Sequence, residues 1–472
     1  MKGEGRAGPM TMRPIPADWD VKNNILETIG NTPLVRLNRV TAGIKATVIA
    51  KLEYFNPGGS VKDRIGYQMI DDFEARGKLK PGGMVVECTS GNTGVGIALA
   101  CTVRGYRSTF TMPDKMSQEK IRVLKAYGAR VIVTPTAVEP ESPESYYSVA
   151  RRVVQETPNS VHTNQYDNPV NPLSHYRTTG PEIWRQTRGR VDYFVCGIGT
   201  CGTISGTGRY LKEQNPSVKV VGADPEGSLL KDWIERGVMT EAHTYKIEGI
   251  GEDFIPEALH KQYVDEVVRV DDRAAYNMAR RLAREEGILV GSSAGAAVVA
   301  ALDVARRAPD DAVIVVLLPD SGDRYLSKVH SDEWMKENRL LEGFDPTVGE
   351  VLQRRASGMP LLVCADAGTI VRDAIGLIRQ YDISQLPVLR GGRNEGVIIE
   401  AHILRAALED PSVLSKPAAD VMDAPLPEIS AGETAEQARQ LMAQRDGGAL
   451  LVREGDRITG ILTRLDLIDH IL

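Results

Sequence analysis

Short runs of β-branched and aliphatic residues alternate with helical patterns between Thr47 and Pro319. The apolar runs are TVIAKLE, MVVECT, STFTMP, RVIVT, YFVCG, VKVVGAD and AVIVVLLP. Each is short enough to be a buried strand. Helical patterns between them cover Thr93–Arg104, Gln118–Tyr127 and Thr203–Gln214. Strands that alternate with helices in this way predict an α/β fold, with mostly parallel sheets covered by helices on both faces.

Three of the predicted strand-to-helix turns are rich in glycine, serine, threonine and asparagine. They are residues 56–62, 89–94 and 197–203. Ligands of open α/β sheets bind at the carboxyl ends of the strands, where the chain turns into helices. We therefore expect the functional site at these three turns.

The alternation stops around residues 337–352, and a duplicated pattern follows. The segment RDAIGLIRQYDISQLPVLRGGRNEGVIIEAHILRAAL aligns with EQARQLMAQRDGGALLVREGDRITGILTRLDLIDHIL. Gly396 then corresponds to Gly460, an offset of 460 − 396 = 64 residues. Each copy predicts a helix, a strand, a turn, a strand and a helix. Two copies are too few for a solenoid and favour a compact pseudo-twofold pair.

Composition narrows the class of protein. The formal charge of 57 − 63 = −6 disfavours nucleic acid or an acidic membrane as the main partner. No stretch approaches the roughly 20 apolar residues of a membrane span, and the start has no signal-peptide pattern. The five cysteines contain no C-x-x-C pair, so neither a disulfide framework nor a metal site is predicted. These features predict a soluble, cytoplasmic protein.

The turn at 197–203 matches a dinucleotide-binding fingerprint. The pattern G-x-G-x-x-G is formed by Gly197, Gly199 and Gly202. Asp224 follows at the end of the next strand, where such enzymes hold a ribose. However, that fingerprint normally belongs to the first βαβ unit, and this one follows several strands. The hydroxyls of Thr200 and Thr203 also suit a single phosphate monoester, so a dehydrogenase is disfavoured.

Lys62, in NPGGSVKDR, lies near the first turn of a helix predicted to begin around Ser60. Helix N-termini disfavour cations, so an ordinary solvated lysine is one interpretation and a lysine held as a Schiff base with an aldehyde cofactor is the other. The turn TSGNTG offers hydroxyls and backbone N–H groups to a carboxylate, or is simply a capped turn. In GSSAG, Ser293 is a candidate helix N-cap and a candidate partner of a pyridine nitrogen, and the two roles are compatible.

Together these motifs carry a resemblance. Residues 25–330 resemble the fold type II pyridoxal-phosphate enzymes of the cysteine synthase and cystathionine β-synthase family, through TIGNTPLVRL, NPGGSVKDR, TSGNTG, GTCGT and GSSAG in that order. The resemblance implies two three-layer αβα subdomains. The cofactor contacts that it implies are Lys62 as the Schiff-base lysine, Asn92 at the ring hydroxyl, Ser293 at the pyridine nitrogen, and Gly199, Thr200, Cys201, Gly202 and Thr203 around the phosphate. The substrate-carboxylate contacts that it implies are Thr89, Ser90, Gly91, Thr93 and Gln165.

The duplicated segment resembles a tandem pair of CBS domains, which are α+β modules that often bind adenosyl ligands. Thr463 and Asp466 fit the nucleotide-binding pattern, whereas their counterparts Ile399 and His402 do not, so one ligand per chain is expected. S-adenosylmethionine is the expected allosteric ligand. The predicted domains are a flexible segment (1–24), the catalytic domain (25–336), a linker (337–350) and two CBS domains (351–408 and 415–472).

The resemblance implies a β-replacement that condenses serine with homocysteine to cystathionine in a homo-oligomer, a dimer or a tetramer. A cysteine synthase acting on O-acetylserine and sulfide is the leading alternative, and a catalytically retired ligand sensor is the other. Two residues depart from the family pattern. Cys201 stands where relatives usually have glycine, and Glu252 occupies a position that is tyrosine in some relatives. Residues 1–24 contain no Cys or His, so we expect no haem.

Overall fold

The computed structural model describes residues 19–89, 91–114, 118–135, 138, 142–341, 346–353, 360–443 and 448–471. The chain divides into two compact units, an N-terminal unit (Met1–Glu342) and a C-terminal unit (Gly343–Leu472). Among the described residues, no helix combines the length and apolar character needed to cross a bilayer.

The N-terminal unit alternates strands and helices as predicted. Its strands are β1 (Leu34–Arg36), β2 (Thr47–Leu52), β3 (Met84–Cys88), β4 (Arg107–Pro113), β5 (Arg130–Thr134), β6 (Ser160–His162), β7 (Tyr193–Gly197), β8 (Lys219–Pro225), β9 (Glu266–Val270) and β10 (Val313–Leu318). Its helices are α1 (Lys62–Ala75), α2 (Asn92–Arg104), α3 (Gln118–Ala126), α4 (Tyr146–Glu156), α5 (Val170–Arg177), α6 (Thr179–Gln186), α7 (Gly202–Gln214), α8 (Leu230–Arg236), α9 (Asp272–Arg281), α10 (Ser292–Arg307) and α11 (Asp332–Glu337). All seven strands expected from apolar runs are present.

Two sheets organise this unit. The larger has the order β1-β2-β10-β7-β8-β9, with only β1 antiparallel to its neighbour, and the smaller has the order β5-β4-β3-β6 with every pair parallel. Parallel strands are buried on both faces, which explains continuous apolar runs such as Val313–Leu318. The mostly parallel α/β class is confirmed.

A close approach of α1 and α2 fixes the position of Lys62. A Cβ atom added to Gly96 would lie 2.6 Å from the carbonyl oxygen of Lys62, and one added to Gly66 would lie 2.4 Å from the backbone of Gly96. Only glycine permits this separation. The first turn of α1 is therefore pressed against α2, which follows the TSGNTG turn.

A buried ion network anchors the same end of α1. The guanidinium of Arg64 pairs with Glu53 (Nε–Oε2 2.7 Å) and with Glu182 on α6 (Nη1–Oε1 2.7 Å), and Lys51 on β2 pairs with Glu182 (2.9 Å). Burial opposes ionisation of Glu53, but the charge and hydrogen bonds of Arg64 lower its pKa to about 2. Two cations and two anions thus tie β2, α1 and α6 together away from water.

The C-terminal unit contains two copies of one motif, as the duplication predicts. Its elements are α12 (Val348–Gln353), β11 (Ala365–Asp366), α13 (Val371–Tyr381), β12 (Gln385–Arg390), β13 (Arg393–Ile399), α14 (Glu400–Glu409), β14 (Glu428–Ser430), α15 (Ala435–Ala443), β15 (Ala449–Glu454), β16 (Arg457–Thr463) and α16 (Arg464–Ile471). Each copy has a three-stranded sheet whose register shifts at an equivalent place, Val388/Leu389 in the first and Val452/Arg453 in the second. The two shifts are 64 residues apart, since 452 − 388 = 64.

Candidate active site

A cavity of about 1000 Å³ opens between the two sheets of the N-terminal unit, where strands end and helices begin. Residues from all three turns singled out in the sequence lie in its wall. The predicted site residues that line it are Lys62, Thr89, Gly91, Asn92, Thr93, Gln165, Thr200 and Ser293. A second, smaller cavity of about 30 Å³ is lined by Gly199, Thr200, Cys201 and Thr203, together with Lys62. Ser90 lies outside the described residues.

Lys62 is the first residue of α1 and lies in the wall of both cavities. Its Nζ makes no hydrogen bond or ion pair with any described residue. Burial lowers the pKa of this amine, although the nearby carboxylate of Asp320 works in the opposite direction. A buried lysine without a fixed partner is available as a neutral nucleophile or base.

The N-terminus of α2 faces the larger cavity without a side-chain cap. Gly91 is the N-cap residue, and a Cβ atom there would meet only open space. The hydroxyl of the buried Thr93 donates to Gln165 Oε1 at 2.6 Å, and Gly91 N donates to Thr89 Oγ1 at 3.3 Å. Free backbone N–H groups at a helix N-terminus favour an anion, so the geometry fits a carboxylate better than the capped-turn interpretation.

Asn92 is held by side chains that are distant in sequence, near the end of the N-terminal unit's chain. Its Nδ2 donates to Asp320 Oδ2 at 2.8 Å, its Oδ1 accepts from Arg324, and Tyr325 donates to the same Asp320 oxygen at 2.6 Å. Burial raises the pKa of Asp320, and its other oxygen, Oδ1, is buried with no partner among the described residues. These contacts orient the Asn92 amide.

The loop after β7 forms a cradle at the start of α7. Cys201 adopts φ +62°, in the left-handed region that glycine favours, so the residue that departs from the family pattern carries backbone strain that glycine would avoid. No side chain caps α7. A Cβ atom on Gly202 would lie 1.9 Å from Asn171 Oδ1, so glycine is required there. The uncapped helix and the small cavity fit a phosphate group.

Neighbouring side chains fix the two threonines of this loop. Asn171 donates to Thr200 Oγ1 at 3.3 Å, and Thr203 Oγ1 lies 3.2 Å from His175 Nε2. Burial lowers the pKa of His175 to about 3, so its imidazole is neutral at physiological pH. Asp224, by contrast, is fully buried in β8 and pairs with Arg269 at 2.6 Å. It is therefore a structural carboxylate near the end of a strand.

Ser293 is the second residue of α10 and is buried in the cavity wall. The N-cap interpretation is wrong, because Gly291 occupies that position and no side chain caps the helix. The Ser293 hydroxyl has no hydrogen-bond partner among the described residues, so it is available to a ligand in the cavity.

Charged residues that the sequence did not single out line another part of the cavity. Glu248 bridges two lysines, with Lys120 Nζ at 2.7 Å from Oε2 and Lys328 Nζ at 2.6 Å from Oε1. Burial opposes ionisation of Glu248, but the two lysines hold its pKa below the ordinary range. Glu248 lies in EGIGEDF, four residues before Glu252. That polar, glycine-rich segment is the sequence feature from which a site residue could have been predicted here.

Three potential metal ligands, Glu87, Cys88 and His162, lie within 4.8 Å of one another beside the cavity. The carboxylate of Glu87 is already engaged, because one oxygen accepts from Cys88 N at 3.0 Å and the other from the Thr163 hydroxyl. The cluster therefore serves as a hydrogen-bonded link between β3 and the chain after β6.

In the C-terminal unit, Thr463 and Asp466 lie together at the start of α16. Asp466 Oδ2 accepts from both the backbone N and the hydroxyl of Thr463 at 2.7 Å. In the first copy, His402 instead lies 2.9 Å from Asp423 Oδ2. The two copies therefore differ at equivalent positions, as the sequence predicted.

Comparison with known proteins agrees with this geometry. The family model for pyridoxal-phosphate dependent enzymes matches residues 25–320, and the CBS domain model matches 359–409 and 418–472. The chain is 38% identical over 466 residues to a cystathionine beta-synthase of Dictyostelium discoideum, covering 96% of this chain and 93% of that protein. It is 47% identical over 337 residues to one of Apis mellifera, covering 71% of this chain and 66% of that protein. The solved structure of O-ureido-L-serine synthase is 39% identical with a TM-score of 0.61, covering 69% of this chain and 98% of that chain.

Proposed function

The chain belongs to the family of pyridoxal-phosphate-dependent enzymes and carries a pair of CBS domains after the catalytic unit, and on that premise we propose that it condenses L-serine with L-homocysteine to L-cystathionine. Relatives that span nearly the whole chain are cystathionine beta-synthases. The observation that carries the proposal is a cavity of about 1000 Å³ with a charged wall, which has room for a cofactor and for two amino acids in turn.

Residues around the two cavities would hold the cofactor. The loop Gly199–Thr203 and the start of α7 would bind its phosphate, Asn92 its ring hydroxyl, and Ser293 its pyridine nitrogen. Lys62 would hold it covalently through Nζ. When bound, pyridoxal phosphate supplies an electron sink that acidifies the Cα–H bond of an amino acid.

Serine binding and proton transfer fall to residues of this chain. The N-terminus of α2, with Thr89, Gly91, Thr93 and Gln165, would hold the serine carboxylate, and Ser90 belongs to the same proposed set. Once the serine amine has displaced it from the cofactor, Lys62 would take the Cα proton, because burial shifts the pKa of its free amine towards the neutral form.

Glu248, Lys120 and Lys328 support an amino acid, rather than sulfide, as the second substrate. An amino acid brings an ammonium and a carboxylate, for which this wall offers one anion and two cations. Sulfide has neither an ammonium nor a carboxylate, so it cannot pair with the anion and the cations of this wall at the same time. The deciding experiment compares serine plus homocysteine with O-acetylserine plus sulfide. A higher kcat/KM for the second pair would favour the cysteine synthase alternative.

Replacing Lys328 with glutamine is expected to raise KM for homocysteine about tenfold to a hundredfold, because a charge-assisted hydrogen bond contributes about 1.5–3 kcal/mol. The KM for sulfide is expected to change less than threefold. Steady-state kinetics with each acceptor measures both constants. Lys45→Gln, at an exposed pair with Asp310, is the control and should leave both within twofold. Equal changes for the two acceptors would contradict this assignment.

The retired-sensor alternative is disfavoured by the intact set Lys62, Asn92, Thr203 and Ser293 around the two cavities. Failure of the holoenzyme to turn over any β-substituted alanine would restore it.

We propose that S-adenosylmethionine binds the C-terminal unit at Thr463 and Asp466, with one ligand per chain. Calorimetry with S-adenosylmethionine, AMP and ATP is expected to show one site, and Asp466→Asn should weaken binding at least tenfold while still accepting hydrogen bonds from Thr463. A ligand at a hundredfold excess over its Kd stabilises the folded state by about 2.7 kcal/mol.

The matched control for this site is Asp456→Asn, in the β15–β16 turn, which should bind as wild type. No heat with any of the three ligands at millimolar concentration would end the proposal, and heat unaffected by Asp466→Asn would place the site elsewhere. A change in turnover needs more than binding, because the ligand must prefer one conformation of the protein.

We also propose a homo-oligomer, a dimer or tetramer, in the cytoplasm. All five cysteines are free, which suits a reducing compartment. Light scattering on the full chain tests the assembly, and a monomeric mass would overturn it.

A further inference from the structure

Glu252 is a carboxyl group in the wall of the larger cavity, on the segment that joins Glu248 to Phe254. Its backbone is fixed on both sides, because its N–H donates to Ser228 Oγ at 3.1 Å and its carbonyl accepts from Leu229 N at 3.1 Å. The preceding residue, Gly251, donates to Ile198 O at 2.6 Å. The side chain is therefore presented to the cavity from a rigid loop.

The surroundings of Glu252 favour its protonated form. Burial, then the neighbouring Asp253 and also Asp224, raise its pKa to about 8 against the opposing effects of the Tyr166 hydrogen bond and of Lys62. The other titratable groups that face it are the phenols of Tyr146, Tyr147 and Tyr245 and the thiol of Cys201, each with a pKa raised by its own burial. At neutral pH none of them supplies a compensating cation.

Serine presents a chemical difficulty that O-acetylserine does not. Its β-substituent leaves as hydroxide, a poor leaving group, unless a proton is delivered to the oxygen as the Cβ–O bond breaks. Lys62 is occupied with the Cα proton. The cavity wall therefore needs a second proton carrier that is protonated before the bond breaks.

Resting on the proposed function, we infer that Glu252 is the acid that protonates the departing β-hydroxyl of serine. The Cβ–O bond breaks with its electron pair on oxygen, the Glu252 proton joins that oxygen, and water leaves. The S–H of homocysteine then returns a proton to the Glu252 carboxylate as the S–Cβ bond forms. Lys62 carries the Cα proton in both directions, so both carriers are restored and no further reactant is needed.

The test is a substrate comparison on the holoenzyme with Glu252→Gln, an amide of the same shape that cannot exchange a proton. With homocysteine as acceptor, kcat/KM is expected to fall about 100- to 1000-fold for serine, and at most about tenfold for O-acetylserine, whose acetate leaves without a proton. The loss of kcat/KM for O-acetylserine is small because the homocysteine thiol is already partly ionised near neutral pH and can add without the carboxylate. Glu257→Gln, at an exposed carboxylate five residues further along the chain, should leave both values within threefold.

A second measurement does not depend on turnover. A carboxyl whose folded pKa lies near 8, above its ordinary 4.5, contributes stability below pH 4.5 that is lost as pH rises through 8. The midpoint of thermal unfolding of Glu252→Gln apoprotein, relative to wild type, should therefore rise between pH 6 and pH 9. A difference that does not change with pH would overturn the inference, as would equal losses of activity on serine and O-acetylserine. If wild type itself fails to use serine, the proposed function fails instead.

Discussion

Lys62→Ala is expected to lower kcat for serine and homocysteine by about 10⁴-fold or more, because one amine both anchors the cofactor and moves the Cα proton. The structure supplies the reason. Lys62 lies in the wall of both cavities. Its Nζ makes no hydrogen bond or ion pair with a described residue, and burial lowers its pKa. Steady-state kinetics measures the loss. Borohydride reduction followed by mass spectrometry of the peptide that contains residue 62 measures covalent attachment of the cofactor.

The controls for Lys62→Ala must distinguish the loss of a catalytic group from a loss of folded protein. Lys78→Ala, an exposed position just after α1, should keep activity within twofold and retain the covalent cofactor. Lys62→Ala should keep the far-ultraviolet circular dichroism of wild type, since Nζ makes no contact that the fold needs. A borohydride-stable adduct in Lys62→Ala, or substantial turnover without Lys62, would contradict the assignment.

The sequence predicted the elements and the turns of the N-terminal unit because each depends on local pattern. Buried parallel strands are short apolar runs, and strand-to-helix turns that bind anions need small residues and hydroxyls. The strands β1, β6 and β9 were not predicted. The first two have only three residues each, and all three lie at the edges of their sheets, where the apolar pattern is weak.

Contacts between distant residues could not be read from the sequence. Asn92 was predicted as a cofactor contact, but its orientation depends on Asp320 and Arg324, more than 200 residues later. Glu248 was missed for the same reason, since its lysine partners lie 128 residues before it and 80 residues after it. For Asp320 and Arg324, the sequence feature that could have indicated a site is the segment Asp-Ser-Gly-Asp-Arg-Tyr after β10, because it follows the carboxyl end of a central strand.

The buried ion network is the clearest case of a feature that only the fold reveals, and Arg64→Met is expected to lower the free energy of unfolding of the N-terminal unit by about 3–5 kcal/mol. The formal charges of the network sum to zero, because Lys51 and Arg64 are positive and Glu53 and Glu182 are negative. Loss of Arg64 leaves a net charge of 1 − 2 = −1 where the arginine and lysine side chains are at most 1% exposed and the glutamates at most 9%.

Urea unfolding followed by tryptophan fluorescence measures this effect in the N-terminal unit alone, because all four tryptophans lie there: Trp19, Trp184, Trp233 and Trp334. Arg104→Met is the matched control. Arg104 pairs with Asp71 and Glu74 at the surface, where it is 33% exposed, so its loss should change the unfolding free energy by at most about 1 kcal/mol. Similar values for the two variants would show that the network contributes no more than a surface pair.

Replacing all four residues of the ion network distinguishes its contribution to the stability of the fold from its contribution to the position of Lys62. With Lys51→Met, Glu53→Leu, Arg64→Met and Glu182→Leu combined, no buried charge is left unpaired, and most of the lost stability is expected to return. Arg64 lies two residues after Lys62 on the same first turn of α1. If the combined variant is stable yet kcat stays low, the ion network positions Lys62 as well as stabilising the fold. If kcat returns with stability, the close packing of α1 against Gly96 is enough to place the lysine.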